Sequence, residues 1–289
     1  MENKRRRGDR PDAREVRGLD SMHVIMPYIY LDRADNEAFI SETIELDEVN
    51  KYLEMKNANS QNGRYTLFHA IIAAVVKTIT LRPDMNRFIK NRRIYQRDEV
   101  SCAFVVKRQF ADGAHEGLAF VKFGPDSTMD LVHERIMEQI NVCRSEKKDD
   151  ANNVMDVLCK MPRPILSFVM AILRLLDEKG KLPQSLMSVD PNHATVFLSN
   201  LGSIGLKAGY HHLFNWGTTS VFIVVGKIRT QRKVNEDGCV TSHEVVDIGI
   251  TLDERIADGY YYSQTVKLLK KLLTQPELLD KPAKEPVIL

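Results

Sequence analysis

The chain has 289 residues, of which 43% are hydrophobic and 28% charged, a composition that fits a folded globular protein and excludes disordered and fibrous classes. Lys plus Arg total 41 against 39 for Asp plus Glu, and a net +2 over this length gives no field that would draw in nucleic acid. The four cysteines, Cys102, Cys143, Cys159 and Cys239, have neither the paired spacing of a zinc site nor the density of a disulfide scaffold, so a reducing, cytoplasmic setting without a metal site is expected.

The basic start MENKRRRGDR runs into further charge and not into an apolar stretch, which argues against a signal peptide or membrane anchor. Residues 1–22 are expected to form a flexible tail and residues 23–289 a single domain. Residues 24–32 and 37–46, rich in β-branched and aromatic types, are predicted as two strands around a polar turn at 33–36. A short helix is predicted over 47–56. The stretch 66–81 opens on Thr66 and is apolar nearly all round, which predicts a buried helix ending before Pro83.

Residues 100–106 and 118–123 predict a hairpin turning near Gly113, followed by an amphipathic helix over 127–141 carrying Met129, Val132, Ile136 and Ile140 and an exposed stretch at 144–150. The segment 164–176, PILSFVMAILRLL, is the most apolar in the chain, yet about thirteen residues fall short of the roughly 20 that a membrane span needs. It is expected to be a core helix, with docking of a protein partner as the alternative. Strands are predicted at 195–199, 221–228 and 245–251, then a closing helix over 263–273.

Two motifs sit at predicted strand ends, where rigid scaffolds present functional loops. FLSNLGSIG (197–205) has glycines three apart, but the spacing fits neither the dinucleotide fingerprint nor the phosphate-binding P-loop. DERIADG (253–259) places four ionisable residues between a strand and a helix, and read alone it is a charged turn.

The order of these segments resembles the catalytic domain of the dihydrolipoyl acyltransferases of 2-oxo acid dehydrogenase complexes, relatives of chloramphenicol acetyltransferase. The resemblance is carried by 70–81 with Pro83 and Asn86, by 100–106, by SNLGSIG, by the strand ending Val225, Gly226, Lys227 and Ile228, and by DERIADG with the terminal helix and QPELL. It implies an α/β fold, a two-layer sandwich of a mixed sheet flanked by helices. It implies three catalytic positions: Glu254 where the family has its histidine base, Asp258 where an aspartate supports that histidine, and Ser199 where a serine donates to the tetrahedral oxyanion. Asn200, Gly202, Arg255 and Gly259 are the implied substrate-binding positions. Coenzyme A or an acyl-CoA is implied as substrate, with no covalently bound cofactor, and a homotrimer or multiple of three with the site at the subunit boundary. In that arrangement Ser199 and the closing loop are expected on the same subunit's side.

The glutamate alters the chemistry. A thiol near pKa ~8.5 lies about 2 units above a histidine but about 4 above an ordinary glutamate, adding roughly 3 kcal/mol to proton abstraction, a factor of about 150. His211 and His212, close after SNLG, are the candidate replacement bases. No lipoyl-bearing segment or Ala/Pro-rich linker precedes the core in this sequence, which argues against an ordinary dehydrogenase complex. Three readings follow: an active acyltransferase, an acyl-CoA-binding pseudoenzyme or scaffold, and a docking protein that uses the 164–176 helix.

Overall fold

The computed structural model describes residues 5–58, 60, 63–107, 116–144, 158–187, 190–234 and 237–289. The strands are β1 (Ala13–Glu15), β2 (Glu37–Glu45), β3 (Arg87–Lys90), β4 (Arg93–Arg97), β5 (Val100–Lys107), β6 (Glu116–Phe123), β7 (Val196–Asn200), β8 (Val221–Val234) and β9 (Val240–Asp253). The described α-helices are α1 (Ser21–Ile29), α2 (Asp47–Ala58), α3 (Leu67–Leu81), α4 (Met129–Arg144), α5 (Arg163–Glu178), α6 (Gln184–Met187) and α7 (Gly259–Thr274).

A six-stranded mixed sheet runs in the order β2-β9-β8-β7-β5-β6, and a small second sheet in the order β1-β4-β3. The hairpin predicted for β5 and β6 is present, from Val100 opposite Phe123 to Lys107 opposite Glu116. Its turn near Gly113, and most of the 144–150 stretch, lie outside the described residues. Side chains alternate across each strand. Val196, Leu198, Ile223 and Ile250 face one core with α2, α3, α4 and α7, while Phe197, Phe222 and Val224 face the other side, beneath Leu213 and Phe214.

Helix α3 is buried from His69 to Ile79, as the apolar run Ala70 to Val76 at its centre favours, and the Thr66 amide donates to His69 Nδ1 across its first turn. Lys77, buried within it, donates to the carbonyls of Lys281 and Pro282 and so ties the chain's end to the core.

Three expectations are corrected. Residues 24–32 do not form a strand: Asp20 caps α1 by accepting from the amides of Met22 and His23, and the β-rich composition gives way because β preference reflects packing within a sheet. The expected tail is ordered over its described part, because Ala13 to Glu15 pair with Arg97 to Tyr95 and Arg10 donates to the Asp177 carbonyl and carboxylate at 2.6 and 2.9 Å. Helix α5 is not core. Only Asp177 in it is buried, while Ile165, Phe168, Ile172 and Leu175 are exposed and form an outward stripe; the buried anchor lies at the helix's C-terminal end.

That anchor is a buried charge cluster. Asp177 also meets Lys90 at 2.7 Å and His193 Nε2 at 3.5 Å, and His193 Nδ1 lies 3.0 Å from Asp190, which accepts from the Trp216 indole. Burial alone would raise the Asp177 carboxyl, but the His193 hydrogen bond and the Lys90 charge outweigh it and hold the group below its ordinary value. Burial alone would lower His193, but its bonds to Asp177 and Asp190 raise it.

Asp177→Asn, which leaves Arg10 and Lys90 buried with a neutral partner, is expected to cost about 3–5 kcal/mol in urea unfolding. Phe168→Asp, on a side chain 67% exposed, should leave the unfolding midpoint of the isolated subunit within about 0.5 kcal/mol of wild type. Because the folded His193 value is raised, its stabilisation is complete below the unfolded value near 6.5 and is lost as pH rises through the folded one. Stability should therefore fall above about pH 6.5, and His193→Gln should flatten that part of the profile.

Candidate functional site

The SNLG segment leaves β7 through a tight turn. Asn200 Oδ1 accepts from the Ser203 amide at 3.2 Å, and the Ser203 hydroxyl donates back to the Asn200 carbonyl at 2.7 Å. The chain then doubles over β8 at its irregularity between Val225 and Ile228, where the Lys227 amide donates to Leu206. Backbone lies on backbone here. A Cβ on Gly202 would sit 2.4 Å from the Gly226 carbonyl oxygen, and one on Gly249 would sit 2.0 Å from that of Gly209. Asn200 and Gly202, named as substrate-binding positions, therefore shape the turn that presents Ser199.

Ser199, half-buried, lines an open cleft of about 320 Å³ whose wall includes Phe68, Phe104 and Ile140, with Lys107 and Ser203 among its polar groups. An apolar wall with a few polar groups is the usual make-up of a small-molecule site.

The closing loop is built around Asp253, which is fully buried. Its carboxylate accepts from Arg255 Nε and Nη2, both at 2.7 Å, and the Tyr262 hydroxyl donates to its carbonyl. Arg255 Nη1 donates to the carbonyls of Tyr30 and Leu31. Arg255, expected as a substrate-binding position, has a guanidinium that is 1% exposed and turned inward, where a carboxylate and two carbonyls engage it. Glu254 is exposed, and its amide donates to the Asn36 carbonyl. Asp258 is exposed and caps α7 by accepting from the Tyr261 amide at 2.8 Å; among the described residues no hydrogen bond joins it to Glu254. Gly259 faces open space.

The strand register separates the two motifs. Val196 pairs with Val221, which pairs with Leu252 of the antiparallel β9. Ser199 lies three residues beyond that level in one direction and Glu254 two residues beyond it in the other. Five residues at roughly 3.3 Å each put them about 16 Å apart along the strands, with a further strand between β7 and β9. The expectation that Ser199 and the closing loop share one subunit's side is thereby corrected: within one chain they occupy opposite ends of the sheet.

Glu254 and Asp258 share the closing loop, Ser199 and Asn200 share the cleft, and Gly202 lies in the turn that follows them. The replacement candidates lie on the second face: His211 stacks on Phe222, with ring centres 4.1 Å apart, and its Nδ1 meets the His212 carbonyl. Sequence reasoning missed Arg33, buried beside Asp253, because the polar run 33–36 reads as a turn and its partners Asp253 and Phe214 are more than 180 residues away. It also missed a Glu45, Asp47 and His243 group whose ligand-type atoms lie within 4.8 Å of one another; there His243 pairs with Asp47 and Lys233 with Glu45.

Residues 170–280 match the model of the 2-oxoacid dehydrogenases acyltransferase (catalytic domain) family. The chain resembles the dihydrolipoyl acyltransferase catalytic domains. A solved structure of a probable dihydrolipoamide acetyltransferase from Listeria monocytogenes superposes with a TM-score of 0.58 at 14% identity, covering 88% of each chain. The truncated catalytic core of the 2-oxoacid dehydrogenase multienzyme complex from Thermoplasma acidophilum gives 0.53 at 14% identity, over 91% of this chain and 99% of that one. A chloramphenicol acetyltransferase gives 0.50 at 13% identity, over 82% and 88%. At these identities the likeness is one of fold, and it is the α/β fold implied by the sequence resemblance. No curated protein matches the chain in sequence.

Two glycines test the packing. Gly249→Ala, which drives a methyl group into the Gly209 carbonyl, is expected to destabilise the fold by about 1–3 kcal/mol. Gly259→Ala, in open space at the start of α7, should be neutral or stabilising by up to about 1 kcal/mol. Thermal melts of both variants check this contrast.

Proposed function

We propose that the chain is an acyltransferase of the dihydrolipoyl type, moving an acyl group between coenzyme A and a thiol acceptor at a site completed by a second subunit. The observation that carries this reading is the register: Ser199 and Glu254 leave opposite ends of one sheet, so they can meet only if the cleft of one subunit faces the closing loop of another. Exposed apolar side chains on α1, including Met22, Ile25, Tyr28 and Ile29, and on α5 supply interaction surface of the kind an assembly covers. A homotrimer or a multiple of three is the assembly proposed.

The step needs few groups. Glu254, whose side chain is open to the facing subunit, takes the proton of the attacking thiol, and the sulfur adds to the thioester carbonyl carbon. The Ser199 hydroxyl donates to the resulting oxyanion. The original carbon–sulfur bond then breaks, and the departing thiolate recovers the proton. An oxyanion donor of this kind is worth on the order of 10²–10³ in rate.

A specific observation favours a second reading, an acyl-CoA-binding pseudoenzyme. Asp258, the counterpart of the supporting aspartate, is engaged as a helix cap and has no hydrogen bond to Glu254 among the described residues.

Acyl exchange from acetyl-CoA to dihydrolipoamide decides between them. Ser199→Ala is expected to lower the rate at least about 10²-fold, and Glu254→His to raise it by about 10² by closing the proton-transfer gap. Equal background rates in wild type and Glu254→Gln, with coenzyme A still binding, would select the pseudoenzyme. Light scattering at micromolar concentration should show a trimer or a multiple of it; a stable monomer removes the shared site.

A further inference from the structure

A cavity of about 390 Å³ opens between α1, the tip of the β3–β4 hairpin and the end of α5. It is separate from the Ser199 cleft, and acyl transfer as described above makes no use of it. Its wall carries four cationic side chains, Arg33, Lys90, Arg92 and Arg255, against two anionic ones, Asp32 and Glu178.

Part of that charge is already matched. Lys90 lies between Asp177 at 2.7 Å and Glu178 at 3.3 Å, and Arg255 holds both Asp253 oxygens. Arg33 is the exception. Only 4% exposed, it donates to the Phe214 carbonyl at 2.6 Å and to the carbonyls of Gly217 and Ile89 at 3.4 Å, which are neutral acceptors. Its Nε is buried without a hydrogen bond among the described residues, and its ion-pair distance to Asp253 is 3.7 Å. One buried carboxylate thus serves two buried guanidiniums. Burial depresses the Arg33 guanidinium below its ordinary value, with the Asp253 charge opposing and Arg255 adding to the fall. A buried charge without full compensation is unfavourable, and an anion in the adjoining cavity would supply the compensation.

The hairpin tip is an independent sign. Asn91 and Arg92 both have left-handed backbone, φ 46° and 59°, in a two-residue turn where the second position ordinarily favours glycine. Strain of this kind recurs at ligand clamps. Here it puts the exposed Arg92 on the cavity wall, 5.6 Å from the Tyr28 ring centre, while the Asn91 amide ties the tip to Glu178. Across the cavity, Asn215 Oδ1 accepts from the amides of Arg33 and Ala34, which leaves its NH₂ group as a donor.

We propose that this cavity binds a small organic oxyanion, a phosphate ester or a carboxylate, gripped by Arg92 and the Asn215 amide above the field of Arg33 and Arg255. Its volume lies in the usual range for small-molecule sites, ~300–1,000 Å³, and guanidinium groups suit both oxyanions. The proposal does not depend on the acyl-transfer reading, since none of these groups takes part in that step.

Thermal melts of the full chain with inorganic phosphate and with succinate, each against sodium chloride at matched ionic strength, test it. A saturating rise of a few degrees is expected with at least one anion. A rise with phosphate alone assigns the phosphate class, with succinate alone the carboxylate class, and with both the shared oxyanion chemistry. Arg92→Gly relieves the left-handed strain, so the free variant should melt at or above the wild-type temperature while its apparent anion affinity falls about tenfold or more. Arg92→Lys, which keeps the charge, should retain part of the affinity. No saturating rise with either anion, or an equal rise in Arg92→Gly and wild type, overturns the site.

Discussion

The antiparallel pairing of β8 with β9 is the constraint on which the rest of this molecule depends. It runs from Val221 opposite Leu252 to Val234 opposite Val240 and lies inside the six-stranded sheet. Because side chains alternate with period two, a slip of one residue would turn Ile223 and Ile250 away from the helices and expose that face of the core. The same register decides where the motifs emerge: β7 ends beside the irregularity in β8, and β9 ends at the opposite edge. The contacts of Gly202 with Gly226 and of Gly249 with Gly209 bring the strap after SNLG onto this pair at backbone distance, leaving no room for a side chain.

Buried charges hold the remaining segments to that frame. Asp253 gathers Arg33 and Arg255, and through them the stretch after α1 and the loop around Phe214. Asp177 gathers Arg10, Lys90 and His193, joining the N-terminal segment, the β3–β4 hairpin and α5. Desolvation takes back much of the Coulomb energy of such clusters, so their main effect is to define which segments meet; losing one partner is costly because the others stay buried. They also explain how α5 can present an apolar stripe to the outside and still be fixed: its one buried residue, Asp177, anchors it ionically at its C-terminal end.

On the proposed reading, the two motifs combine into chemistry through assembly. In one subunit the cleft beside Ser199 has a serine hydroxyl and an apolar wall, and the closing loop carries an exposed carboxylate, Glu254, at the other end of the sheet. Exposed apolar surface on α1 and α5 gives the subunit a reason to associate, and association is what would join the halves.

The sequence by itself determined the elements whose cause is local. The apolar run of α3, the β5–β6 alternation, the strands β7 to β9 and the helix after DERIADG follow from periodicity and capping residues. The positions of Ser199, Glu254 and Asp258 at strand or helix ends were legible for the same reason, and the motif order carried the family resemblance. Tertiary structure alone decided that 21–29 would be helical, that Arg10 and Ala13 would be buried, that the apolar stripe of α5 would face outward and that Arg255 would turn inward. These outcomes depend on partners far away in sequence, such as Asp177 for Arg10 and Tyr30 for Arg255, and no local pattern encodes them. The separation of Ser199 from Glu254 belongs with them, because it is a property of strand register, which exists only once β7, β8 and β9 lie side by side.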